Sequence, residues 1–400
     1  MIYDYVIIGG GIIGVSTALQ LKKNMPDSRV VILEKEDDVG KHQTSHNSGV
    51  IHSGIYYDPK SIKARLCRAG LRETIKFSKL NNVPFKQCGK LIVATDEFER
   101  QQLDNLFERS KDNQIDCERL CSAALKEREP NINGNSAILV KSTGIVSYIA
   151  ICKAMASQFI SLGGEILVSS CVTAIKEFRS FIIIHSGNAE VQAKYCITCA
   201  GIMTDRLAEM LNIKTKFRLL PFRGEYYKLP SEKNNIVRHL IYPVPNPKLP
   251  FLGVHLTRMI DGAITVGPNA VLSLNREDYD KHGINLRDII DMMSFPGFWR
   301  LINNNFKTGI SELRNSFFKS NYLELCQKYY PALRLNDLQP HPPGIRAQAV
   351  ALNGSLIDDF LFFETKRCFL VANAPSPAAT SAIPIGKYIV KQVRDRIDKG

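Results

Sequence analysis

The sequence predicts an α/β fold, α+β overall, divided between two domains, and three observations carry that prediction. Its 400 residues are more than one hydrophobic core usually organises. A strand, a glycine-rich turn, a helix and a second strand follow one another without interruption in "DYVIIGGGIIGVSTALQLKKNMPDSRVVILEKE". Alternating strand candidates ("KLIVAT", "FRGEYYKL", "FLGVHLT", "AITVG") occupy the middle of the chain. They interrupt the segments that continue the first unit, so the second domain is read as insertions that form an antiparallel sheet.

The first unit has the parts of a Rossmann-like nucleotide-binding fold. Tyr5–Ile8 is a short continuous apolar strand, followed by Gly9, Gly11 and Gly14 in G-x-G-x-x-G order. Gly9 allows the tight turn, Gly11 lets backbone approach a pyrophosphate, and Gly14 lets the helix pack against the strand. Ile12, Ile13, Val15, Ala18, Leu19 and Leu21 recur at helical spacing until Asn24 and Pro26 break the pattern. The helix start offers unpaired N–H groups and a positive dipole end to phosphate, with Ile12 and Ile13 at that start. Val30–Leu33 is the second strand, ending on Glu34, 20 residues after Gly14, with Lys35 beside it. A carboxylate there accepts from ribose hydroxyls and favours NAD or FAD over NADP.

Composition narrows the function classes. With 44% apolar and 23% charged residues the chain is ordinary globular material, without repeats or low-complexity segments. No apolar run approaches the roughly 18 residues of a membrane span. The formal charge of +13 invites nucleic acid, but the basic residues are dispersed and no nucleic-acid-binding motif organises them. The expected partners are therefore an anionic small substrate or an anionic membrane surface. Ten cysteines without secretory context are read as free thiols. Cys117 and Cys121, in a stretch read as helical, lack the partners of a zinc set, and the C-x-x-C of Cys196 and Cys199 reads as a buried strand; no metal is expected. From Met1 the chain runs straight into a strand without a leader pattern, so a cytoplasmic location is expected.

"TSHNSGVIHSGIYY", starting ten residues after Glu34, is too polar for core and too apolar and aromatic for a linker. Here the chain resembles the D-amino-acid-oxidase-like flavoproteins, and within them the L-2-hydroxyglutarate dehydrogenase (oxidase) family. The resemblance runs nearly end to end, on "HNSGVIHSGIYY", "LPFRGEYYKL", "IYPVPNPKLPFLGVHLT", "GPNAV", "SFPGFWRL", "HPPGIRAQ" and "NAPSPAATSAIPIG". It implies FAD as cofactor. It implies an FAD-binding domain over residues 1–84, 145–214 and 338–400, and a substrate domain over 85–144 and 215–337.

On this resemblance the loop crosses the flavin. Thr44, Ser45, His46, Asn47 and Ser48 hydrogen-bond the cofactor, and Gly49 permits close backbone approach. His46 is expected to hydrogen-bond rather than to attach covalently, as a histidine at a similar place does in some relatives. Val172 in "SSCVTAIKEF" and Gly201 in "YCITCAGIMTDRL" flank the adenosine half. Ser376, Ala378 and Thr380 return to the flavin at the start of the last helix. "KSIKARLCRAGLRETIKF" reads as a surface helix with basic residues outward.

The implied reaction is oxidation of a 2-hydroxy acid, which needs one base and cations for two carboxylates. His52 in the loop and His255 in "FLGVHLT" are the candidate bases, His52 slightly favoured; His42, His185, His239, His282 and His341 lack such context. Arg346 in "GIRAQ" and Arg223 in "PFRGEYY" are the candidate carboxylate ligands. Either Tyr226 or Tyr227 adds a hydroxyl, since neighbours on a strand face opposite sides. The rival readings are a flavin oxidase acting on an amino acid or glycerol 3-phosphate, and a flavin-binding protein without catalysis. Oxygen, a quinone or an electron carrier is the expected acceptor. Phe295, Phe298, Trp299, Leu301, Ile302, Phe306, Phe317 and Phe318 lie among basic residues, as in a segment resting on the inner face of a cell membrane or one packed within the second domain.

Overall fold

A computed structural model describes residues 2–187, 189–246 and 253–397. Residues 247–252, the head of "FLGVHLT" and the middle of "IYPVPNPKLPFLGVHLT", lie outside the described residues. The first sheet grows from the N-terminal unit. Strand Ile2–Ile8 runs parallel to Val30–Leu33 on one side and to Ala189–Thr198 on the other. Helix Ile12–Asn24 makes the crossover between the first two. All four residues of Val30–Leu33 are buried, which explains why this strand reads as a continuous apolar run rather than an alternating one. On the side of Ala189–Thr198 away from Ile2–Ile8, Cys368–Asn373 pairs in parallel with its end and Ile182–Ser186 pairs antiparallel with its start, with Val172–Glu177 antiparallel beyond. "KYCITCAG" is thus a strand, as read, with buried Cys196 opposite Cys368.

Helix Ile12–Asn24 packs between helices Tyr148–Ser161 and Ala382–Ile397. Contact with the last helix is close: Ser16 Oγ donates to the Ala382 carbonyl at 2.9 Å, and a Cβ on Gly386 would lie 2.7 Å from Ser16 Oγ. The C-terminal helix therefore belongs to the first core, and it holds the preceding turn over the glycine-rich loop.

The second sheet has nine strands. In order, its path is Val271–Leu272, Phe217–Lys228, Ile264–Gly267, His255–Arg258, Leu240–Pro243, Lys90–Ala94, Ser136–Val140 and Cys117–Cys121. Every pairing along it is antiparallel except Leu240–Pro243 with Lys90–Ala94. The ninth strand, Gln339–Ala351, pairs along nearly the whole of Phe217–Lys228. Sequence reading assigned residues from 338 onward to the nucleotide unit; this strand hydrogen-bonds into the other sheet, because long-range pairing leaves no mark in a local pattern. Cys117–Cys121 is likewise an edge strand and not a helix, since pairing with Ser136–Val140 overrides the helical tendency of "CERLC".

Alternation gives this sheet two unlike faces. Leu91, Val93, Ile241, Leu256, Ile264 and Val266 pack outward against Tyr322, Cys326 and Tyr329. The other face turns toward the first domain. There Ile92, Leu240 and Tyr242 cover Val50 and Ile55 of the loop that follows the nucleotide unit.

Candidate active site

Between the C-terminal ends of the first sheet and the inner face of the second lies a crevice of about 510 Å³. Its nucleotide half is made largely from backbone. Gly9 has φ +107°, and an added Cβ would lie 2.5 Å from the Cys199 carbonyl oxygen. Gly11 faces open space apart from Thr44 Oγ1, so a side chain there would fill the space above the helix start. Gly14 does not line the crevice; its Cβ would fall 1.9 Å from the Gly9 carbonyl oxygen, so it serves helix–turn packing as expected. Ile12 N–H donates to Thr44 Oγ1 at 3.0 Å, tying the loop to the helix start. The buried Glu34 carboxylate accepts from Gly10 N–H at 2.6 Å and Glu36 N–H at 2.9 Å, which fixes its orientation at the crevice wall. Lys35 pairs with Glu36 and, at 3.1 Å, with Glu277.

The loop is a self-bonded turn. Asn47 Nδ2 donates to the Thr44 carbonyl at 2.7 Å, and its Oδ1 accepts from Gly49 N–H at 2.9 Å. His46 lines the crevice with its ring stacked on Tyr279 at 3.8 Å, and its Nδ1 lies 2.9 Å from Ser45 Oγ. Ser45 itself bonds back to the Lys41 and His42 carbonyls and does not line the crevice. Nor does Gly49, whose φ of +65° brings it against the Val146 carbonyl rather than toward a ligand. Val172, Gly201, Ser48, Ser376, Ala378 and Thr380 all line the crevice.

The other half is made from side chains. His52 lines it, and its backbone is pinned from several directions. His52 N–H donates to Thr380 Oγ1 at 3.2 Å, and Cys67 Sγ donates to the His52 carbonyl at 3.4 Å. Thr380 in turn meets the Tyr148 hydroxyl at 2.7 Å and the Val50 carbonyl at 3.2 Å. Tyr226 and Arg346 project into the same space from neighbouring strands. His255 is buried one layer deeper, its ring stacked on Tyr242 at 4.0 Å and its Nδ1 held 2.8 Å from Thr257 Oγ1.

Arg223 and Tyr227 are not brought to the crevice. Phe222, Gly224 and Tyr226 line it, so alternation turns the residues between them away. Arg223 is buried against Glu225 at 3.1 Å and donates to the Lys281 carbonyl at 3.0 Å. Tyr227 packs edge-on against Tyr322.

Burial, reinforced by nearby charge, sets the state of the histidines. Burial, followed by the positive charges of Lys90, Lys63 and Arg346, pushes His52 down to about 3. Burial, then His52 and the charges of Lys90 and Arg346, does the same to His255, also to about 3. Both imidazoles are neutral at physiological pH and available as proton acceptors. Tyr56, Tyr57, Tyr226 and Tyr242 are raised mainly by burial and stay protonated donors.

Several residues of this region were not singled out from sequence, among them Lys90, Tyr56, Tyr242, Tyr279 and Asn269. One signal was readable: in "GKLIVA" a lysine heads an otherwise apolar strand, and all five residues Lys90–Ala94 are buried. The others carry no local mark, because their proximity arises from strand pairing and loop packing.

A glycine-turn nucleotide fold opening onto a side-chain-lined chamber suits a dinucleotide-dependent oxidoreductase, and the family comparison makes the cofactor FAD. The family model described as FAD dependent oxidoreductase matches residues 4–392. The chain is 51% identical over 98% of its length to the L-2-hydroxyglutarate dehydrogenases of Salmonella houtenae and Escherichia coli K12, covering 93% of each. Among solved structures, the FAD-bound L-alpha-glycerophosphate oxidase of Mycoplasma pneumoniae superposes with a TM-score of 0.80 at 22% identity, over 98% of this chain and 94% of that one. The chain belongs to the L-2-hydroxyglutarate dehydrogenase family of FAD-dependent oxidoreductases.

The residues present fit FAD. The open side of Gly11 suits a pyrophosphate, and Glu34 is oriented for a ribose. Asn373 and His42 line the crevice with a buried Oδ1 and Nδ1 that have no hydrogen-bond partner, as expected of atoms reserved for a ligand.

Proposed function

We propose that the protein oxidises L-2-hydroxyglutarate to 2-oxoglutarate. FAD, when bound, supplies the two-electron acceptor for the hydride leaving the carbinol carbon. His52 takes the hydroxyl proton, Arg346 grips the carboxylate next to the reacting carbon, and Tyr226 donates a hydrogen bond from the adjacent strand. His255, one layer away, positions Tyr242. The observation that carries this reading is the imidazole of His52, pinned by its backbone in the crevice that Arg346 and Tyr226 also enter. The cations that hold His52 low are offset when a dianion binds, so substrate raises the proton affinity of its own base.

Anaerobic mixing of the flavin-loaded protein with candidate substrates tests the proposal. Bleaching of the visible flavin band by L-2-hydroxyglutarate, and not by its D enantiomer, D-amino acids or glycerol 3-phosphate, is expected. Bleaching by one of the others alone would replace the substrate, and none by any would favour a binding protein.

For reoxidation we infer a quinone or electron carrier met at a cytoplasmic membrane face. Phe295, Phe298 and Leu301 pack inward against Leu220 and Val350, whereas Trp299, Phe306, Phe317 and Phe318 are 52–68% exposed. Leu286 and Ile290 in the preceding helix are exposed as well, Arg300 lies in the helix of Trp299, and Arg314 in that of Phe306 and Phe317. Among the described residues no helix is long and apolar enough to cross a membrane, so the inferred contact is peripheral. Co-sedimentation with anionic vesicles at low salt should be lost on replacing both Arg300 and Arg314 by Glu. Binding indifferent to lipid charge and to both changes would contradict the inference.

A further inference from the structure

The sheet face above the crevice carries a second cation that the mechanism leaves unused. Lys90 stands opposite Leu240, Ile92 opposite Tyr242, and Ile241 opposite Leu256. Alternation from those pairs puts Lys90, Tyr242 and His255 on one face. Lys90 is 1% exposed, and its Nζ lies 4.4 Å from the centre of the Tyr56 ring and 5.0 Å from that of Tyr242. Among the described residues no carboxylate pairs with this ammonium and no hydrogen bond reaches it. Lys63, by contrast, is paired with Asp358 at 2.7 Å. The Tyr56 hydroxyl is also buried and has no hydrogen-bond partner.

Two adjacent buried donors, one of them charged, are thus left without an acceptor in a protein whose other buried donors are mostly satisfied. Burying an ammonium without an anion is costly, and two aromatic faces offset only part of the cost. The pair lies close to the reacting centre. Tyr56 follows His52 by four residues in the same loop, and Tyr242 stacks on His255. Lys90 and Arg346 both act on the charge of His52 and of His255, so the two cations approach the base from different strands.

We propose that Lys90 and Tyr56 receive the second carboxylate of the substrate, so that the enzyme selects dicarboxylic over monocarboxylic 2-hydroxy acids. This rests on the reading of a 2-hydroxy diacid as substrate, and it assigns the distal end, while Arg346 keeps the end beside the reacting carbon. An ammonium and a phenol supply two donors to one carboxylate; neither side chain lines the crevice as His52, Tyr226 and Arg346 do, so the carboxylate reaches them past the wall that His52 forms. Burial also lowers Lys90 to about 8, with only the Cys67 and Cys117 thiols raising it; Tyr56, Tyr242, His52 and His255 are its other titratable neighbours. Affinity for a dianion should therefore decline as pH rises through about 8.

Glutarate and pentanoate, which cannot be oxidised at a 2-hydroxyl, test the assignment with the flavin-loaded protein. Their dissociation constants are read from calorimetry and from the shift of the flavin band. Lys90→Met should weaken glutarate by about 30-fold or more and remove its decline above pH 8. Pentanoate should change by less than about threefold. Tyr56→Phe, which keeps the ring and removes the hydroxyl, should weaken glutarate by roughly 5- to 10-fold, and it carries the test if Lys90→Met does not fold. The preference for L-2-hydroxyglutarate over L-2-hydroxypentanoate in flavin reduction should fall with glutarate affinity. Equal losses for both acids, or glutarate binding unchanged in both variants, would overturn the assignment. A parent protein that binds glutarate through Lys90 yet is not reduced by L-2-hydroxyglutarate would uphold the carboxylate site and refute the substrate reading.

Discussion

The two halves of the crevice are built by different means. The nucleotide half comes mainly from one stretch of about forty residues and works through backbone: glycines without side chains, a helix start, and one carboxylate oriented by N–H groups. The half proposed for substrate draws His52, Tyr226 and Arg346 from three separate segments and works through side chains. Their electrostatics also differ. Near the ribose position the single cation Lys35 meets Glu36 and Glu277, so negative charge predominates. Around His52, burial, reinforced by the positive charge of Lys90 and Arg346, holds both histidines neutral. The first half is organised to hold a cofactor and the second to wait for an anion.

The largest effect should follow from disturbing the backbone half. Gly14→Ala places a methyl 1.9 Å from the Gly9 carbonyl oxygen, which neither the helix nor the turn can relieve without opening the cradle. A loss above about 4 kcal/mol is expected, with protein recovered free of flavin or aggregated. Flavin content and thermal midpoint measure it, and a stable flavin-loaded variant would break the contrast between the halves.

Two arginines on adjacent strands sharpen the contrast. Arg223→Leu removes the nearer cation of the half-buried Glu225, leaving only Lys281 at 3.8 Å, and should cost about 3 kcal/mol of stability. Arg346→Leu should leave folding and flavin content intact and lower kcat/KM for L-2-hydroxyglutarate by at least about 30-fold, with Arg346→Lys recovering only part, since a lysine cannot grip a carboxylate through two parallel bonds. Denaturant midpoints and steady-state kinetics on both variants separate the two roles, and exchanged phenotypes would reverse the assignment.

These placements mark where sequence reading ends. The turn of Gly9, Gly11 and Gly14, the strand to Leu33 and the carboxylate of Glu34 lie close together in the chain, and local spacing suffices to find them. Arg223 and Arg346 look equally suited to a carboxylate as sequence. What divides them is register: Phe222 stands opposite Arg346, and one step along Arg223 stands opposite Ile345, which turns the first arginine away from the crevice. Lys90 escaped notice for the same reason, since a lone lysine heading an apolar strand reads as an edge until the partner strands are known.

A separate effect is expected from pH. His52 and His255 sit near 3 in the folded chain against 6.5 as free side chains. Between those values the unfolded chain binds more protons than the folded one, so stability should fall as pH drops from about 6.5 toward 3. Glutarate, by offsetting the nearby cations, should reduce that slope. Thermal midpoints from pH 7 to 4, with and without glutarate, measure it, and a stability that does not fall over this range would mean that the histidines are not held neutral.

The central claim is that the backbone half holds the flavin while His52 carries the proton chemistry in the other. Rapid anaerobic mixing of His52→Gln with L-2-hydroxyglutarate tests it most directly. The account predicts normal flavin content and flavin reduction slowed by roughly 10²- to 10⁴-fold. Reduction at the parental rate would contradict it.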